Sequence, residues 1–133
     1  MTEFRRVTDT FSVSPQISLT DIAAAAAQGF TLVINNRPDG EAPDQPTSAQ
    51  MEAAARAAGL DYLYAPVVGG PRPAQVDAVR SAVAKGEGKT LAYCRSGTRS
   101  IYTWALGQAG VVDRETLMRQ GAAAGYDLSP VVG

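Results

Sequence analysis

Short apolar, strand-like runs alternate with helix-like segments along the 133 residues of this chain, and that alternation restricts the fold more than any other feature. Continuous apolar runs suit strands covered on both faces, and consecutive parallel strands need a crossover, usually a helix. The pattern predicts an α/β fold with a mostly parallel sheet. The length suits one domain over residues 1–133, with a single core and no need of a disulfide or metal.

Local punctuation sets the expected order. Phe4 to Val13 alternates weakly and reads as one or two short strands. Ser18 or Thr20 can cap a helix through Asp21 to Gln28 that stops at Gly29. Phe30–Asn35 is a strand, followed by an irregular loop rich in Pro, Gly and Asp. Thr47 and Gln50 form a capping-box pair opening a helix that runs to Ala58 and stops at Gly59, and Leu60 to Val68 reads as the next strand. Pro73 suits the first turn of a helix to about Lys85. Lys89 to Tyr93 is then a strand, and from Ser100 an Ile101, Trp104, Ala105 stripe predicts a helix until Gly110. Asp113 caps a final helix to about Ala124, with a tail beginning at Gly125.

The only cysteine, Cys94, falls where the last strand gives way to a helix. A thiol there faces N–H groups that have no partner within the helix, at the positive end of the helix dipole. Such a setting beside arginines favours the thiolate. The chain has no histidine, so no Cys-His or Ser-His dyad and none of the usual zinc ligand sets is available. No metal and no cofactor is expected. A net charge of −1 without a basic block argues against nucleic acid. The polar start at Met1 to Arg6 and the lack of a long apolar run argue against a signal peptide or membrane span, and a free thiol fits the cytoplasm. Nothing in the sequence sets an oligomeric state.

The run Cys94-Arg95-Ser96-Gly97-Thr98-Arg99-Ser100 can make an anion cradle. Gly97 permits the backbone turn, and Arg99 closes the cradle with a planar guanidinium that takes two oxygens of a phosphate or another oxyanion. Ser100 is placed to donate to the sulfur, with Arg95, Ser96 and Thr98 at the rim. A leaving-group acid is sought among Asp39, Glu41 and Asp44 on the loop after the Phe30–Asn35 strand. That loop should neighbour Cys94, because ligands sit beyond the C-terminal ends of parallel strands, and so Arg37 and Glu41 are expected to line the site.

Cys-x4-Arg-Ser, together with Ile34-Asn35-Asn36-Arg37-Pro38-Asp39-Gly40-Glu41 upstream, resembles the bacterial β-lactamase-hydrolase-like phosphatase family. Gln16, Ala27 to Phe30, Pro43 to Ser48, Pro66 before a Gly-rich turn, and Ala92 to Gly97 fall in the family's order, so the likeness runs from about Phe11 to Tyr126. It implies a fold like the protein tyrosine and dual-specificity phosphatases, a three-layer α/β arrangement with a central, mostly parallel sheet of four to five strands flanked by helices, with Cys94 as nucleophile, Arg99 as phosphate binder and the amides of Arg95 to Arg99 as the cradle. The implied activity is hydrolysis of a phosphate monoester through a cysteinyl-phosphate. The sequence departs from those enzymes in three places. Tyr93 stands where a histidine usually precedes the cysteine, four residues instead of five separate Cys94 from Arg99, and Pro66 to Pro73 has no carboxylate. The short loop is also similar to that of rhodanese-type sulfurtransferases, which would use a Cys94 persulfide. A non-catalytic oxyanion-binding or redox-sensing module is the third reading.

Overall fold

A computed structural model describes residues 3–132; Met1 and Thr2 of the polar start lie outside the described residues. The elements are β1 (Arg5–Arg6), β2 (Phe11–Ser14), α1 (Leu19–Ala27), β3 (Phe30–Asn35), α2 (Ser48–Ala57), β4 (Asp61–Tyr64), α3 (Pro73–Lys85), β5 (Lys89–Tyr93), α4 (Thr98–Gln108), α5 (Arg114–Ala123) and α6 (Ser129–Val132). They form a three-layer α/β structure around a five-stranded sheet in the order β1-β2-β5-β3-β4, parallel except where β1 pairs with β2.

Strand alternation divides the core. Leu32, Ile34, Val13 and Ala92 face one layer with Val79, Ile101, Trp104 and Leu117, where Phe11 stacks on Trp104 at 5.1 Å. Val33, Leu91 and Tyr93 face the other with Ile22, Ala25, Met51 and Ala55. Burying each large apolar side chain contributes about 1.5–3 kcal/mol. Capping boxes start both helices of the second layer: Ser18 with Asp21 at α1 and Thr47 with Gln50 at α2.

Register determines where chemistry can occur. Ser14 and Asn35 flank Tyr93, and Asn35 also pairs with Tyr64, so the four parallel strands end on one level. The loops that follow, at Pro15–Ser18, Asn36–Thr47, Ala65–Arg72 and Cys94–Gly97, therefore share one edge of the sheet.

Three boundaries differ from the sequence reading. The expected Leu60–Val68 strand is only Asp61–Tyr64, because Pro66 has no N–H for a ladder and Leu60 donates back to Ala55 at the end of α2. The chain nevertheless stays tied to β3, through Ala65 N–H to Asn35 and Val67 N–H to Asn36, both at 2.9 Å. The helix after the cysteine begins at Thr98, two residues early, with Gly97 as its cap. The Asp113-capped helix is not the last, since Leu128 is buried and accepts from Val131 and Val132 in the short turn of α6.

Candidate active site

Cys94 is the first residue beyond β5, and the period of two puts its side chain on the Ala92 face, toward α4. It is fully buried, yet its sulfur accepts the Gly97 N–H at 3.1 Å. Gly97 has φ +92°, a left-handed conformation that L side chains rarely adopt, and a Cβ there would run into the Tyr126 hydroxyl. The curl of the loop thus depends on this glycine. Because α4 begins at Thr98, the first-turn N–H groups of Arg99 and Ser100 have no acceptor within their own helix.

Arg99 is held rigidly. Its Nη1 and Nη2 each donate to Glu41 at 2.8 Å, and Nη1 also donates to the Val67 carbonyl at 2.9 Å. A guanidinium has five N–H donors, and these bonds leave Nε–H and one Nη2–H, the pair along its side edge. That side-edge pair, with Cys94 as its neighbour, is the one suited to two oxygens of an anion. Hydrogen bonding to Glu41 raises the Arg99 pKa further, with the nearby Cys94 sulfur adding in the same direction.

Glu41 serves two arginines. Arg37 Nε donates to it at 2.9 Å, while Arg37 Nη1 donates to Gln16 at 3.0 Å. The Arg99 hydrogen bond, offset by burial and reinforced by Arg37, holds the Glu41 carboxyl at about 2. It is an ionised acceptor and has no proton to give. Arg37 is buried and reaches the site through Glu41 rather than facing it.

The other expected residues are distributed unevenly. Asp39 accepts the Ser48 N–H at 2.7 Å, and its own N–H donates to Tyr64 at 2.9 Å; its carboxylate braces the first turn of α2. Asp44 is exposed on the same loop. Ser100 is 1% exposed and its hydroxyl has no partner, so the expected bond to sulfur is not formed. Ser96 and Thr98 hydrogen-bond to each other at 3.1 Å, and Arg95 extends into solvent while its carbonyl accepts from Gln16. Sequence reasoning gave no role to Gln16, the Val67 carbonyl or Tyr126, whose hydroxyl donates to the Ser96 carbonyl at 2.8 Å. Gly97 was the one available signal, since a position that excludes a side chain implies a close neighbour.

A cysteine at the end of a parallel strand, a helix N-terminus and a clamped arginine thus meet on a three-layer fold of the kind also seen in tyrosine and dual-specificity phosphatases. Residues 3–111 match the family described as beta-lactamase hydrolase-like protein, phosphatase-like domain, and the chain belongs to that family. It is 38% identical over 127 residues to a beta-lactamase hydrolase-like protein of Agrobacterium fabrum, covering 92% of this chain and 29% of the relative. A Xylella fastidiosa protein of the same name is 36% identical over 129 residues, covering 95% and 30%. The chain thus spans about 30% of the length of the curated relatives it matches. Among solved structures, a Neisseria meningitidis protein assigned to the phosphatases superposes with a TM-score of 0.83 at 29% identity, covering 96% of this chain and 92% of that one. Pseudomonas aeruginosa TpbA in complex with pTyr superposes with a TM-score of 0.67 at 18% identity, covering 97% and 82%, and shares the fold.

Proposed function

We propose that the chain hydrolyses phosphate monoesters through a cysteinyl-phosphate on Cys94. The observation that carries this reading is the Arg99 guanidinium, clamped by Glu41 and Val67 through donors other than its side edge, beside a sulfur that accepts a main-chain N–H. The Cys94 thiolate attacks phosphorus, forming the S–P bond as the ester P–O bond breaks and the leaving oxygen departs with the electron pair. Water then attacks phosphorus, the S–P bond breaks, and the thiolate and inorganic phosphate are released. The Arg99 edge and the amides of Gly97, Arg99 and Ser100 hold the equatorial oxygens, as preorganised donors should. Ser100 rotates its unpartnered hydroxyl onto the sulfur as it leaves.

With Glu41 kept ionised by two guanidiniums and Asp39 engaged by α2, neither of these loop carboxylates is poised to protonate a leaving alkoxide. The reading therefore favours aryl phosphates over alkyl phosphates, because a phenolate departs without strong acid catalysis. Small phosphate esters are the substrate class, and the complex of TpbA with pTyr makes phosphotyrosine a reasonable first probe. The test is turnover of p-nitrophenyl phosphate and alkyl phosphates by reduced wild type and Cys94→Ser, alongside thiocyanate formation from thiosulfate and cyanide. Aryl phosphate turnover that vanishes in Cys94→Ser supports the proposal. Thiocyanate formation without phosphate release would establish sulfur transfer, and silence in both assays would leave an anion-binding or redox module.

A further inference from the structure

The segment after α5 belongs to no element of the cradle and lies beyond residue 111, where the family match ends, yet it touches the cysteine loop. Leu128 is fully buried against Gly121, and Tyr126 N–H donates to the Gly121 carbonyl at 2.9 Å, so this segment is anchored at both ends. Arg5 packs over the Tyr126 ring at 5.2 Å from its centre. The Tyr126 hydroxyl is thereby delivered to the Ser96 carbonyl. Burial raises its pKa, so it remains a protonated donor.

The bond matters because of what shares its peptide unit. In a trans peptide the C=O and the following N–H point in opposite directions. The carbonyl of Ser96 and the N–H of Gly97 are the two ends of one such unit: the first receives the Tyr126 hydroxyl at 2.8 Å, and the second points at Cys94 Sγ at 3.1 Å. There are no cis bonds among the described residues. Glycine at 97 removes most of the steric barrier to turning this peptide over, since it occupies either sign of φ. A turned peptide would aim a carbonyl at the sulfur and at any bound oxyanion. We propose that Tyr126 is a positioning residue that locks the Ser96–Gly97 peptide with its N–H facing the Cys94 sulfur. This rests on the phosphatase reading for its catalytic consequence, and on geometry alone for its effect on the thiol.

Tyr126→Phe tests it, because the ring and its contact with Arg5 remain while the hydroxyl goes. The rate of Cys94 alkylation by iodoacetamide at neutral pH should fall about tenfold, as expected for losing one hydrogen-bond donor to the sulfur. Turnover of p-nitrophenyl phosphate should fall in kcat by about tenfold or more, as for a lost oxyanion donor. Thermal stability should stay close to wild type. Tyr126→Leu, which removes the ring as well, should reproduce the alkylation defect. A wild-type alkylation profile in either folded variant would overturn the proposal. Failure of wild type to release phosphate would instead remove the phosphatase reading and leave the alkylation arm intact.

Discussion

Glu41 carries the electrostatics of the site, and the direction of its perturbation makes it testable by acid. Its carboxyl lies at about 2 in the folded chain, against an ordinary 4.5. A carboxylate held below its unfolded value stabilises the fold above that value, and the contribution is lost as pH falls from about 4.5 toward 2. Acid unfolding of wild type should show this loss, and Glu41→Gln should be flatter across the same window. At neutral pH Glu41→Gln leaves the buried Arg37 short of its counter-charge and should cost on the order of 2 kcal/mol by denaturant titration. Because Arg99 would then be free to swing, kcat/KM should fall about tenfold or more. Little of this was legible beforehand. Arg37 and Glu41 were expected near Cys94, but Glu41 and Arg99 are 58 positions apart, and only the folded register shows that one carboxylate holds both arginines.

At the scale of elements, Asp39 ties the loop after β3 to the start of α2. Its carboxylate accepts the N–H of the first residue of α2, a capping type of contact worth about 1 kcal/mol. Asp39→Ala should lower stability by about that much while leaving aryl phosphate turnover within a few-fold. A loss of several hundredfold on aryl phosphate, with stability intact, would mark Asp39 as the acid instead. The helices themselves were readable because their signals are local: Ser18 and Thr47 form capping boxes with side chains three residues on, and α3 starts at Pro73. The end of β4 was not, because the apolar run Ala65-Pro66-Val67 reads as strand while the proline interrupts the ladder. Nor was the turn at Tyr126, whose partner in the cysteine loop is 30 positions away.

For the whole molecule, β5 is the element on which the arrangement depends: it lies between β2 and β3, and its end carries Cys94. Leu91 is fully buried in the layer opposite the sulfur, so Leu91→Ala should cost about 2–5 kcal/mol in denaturant unfolding and change Cys94 chemistry only through stability. The mostly parallel sheet was legible because strand-like and helix-like segments alternate, the flanking layers came with the family resemblance, and the shared level of the strand ends followed from parallel pairing. On the proposed mechanism Cys94 becomes phosphorylated during turnover. Rapid acid quench of wild type turning over p-nitrophenyl phosphate, followed by peptide mass spectrometry, measures this directly. The expected result is one added phosphoryl group on the peptide containing Cys94, absent from Cys94→Ser. Turnover without that adduct, retained in Cys94→Ser, would contradict it.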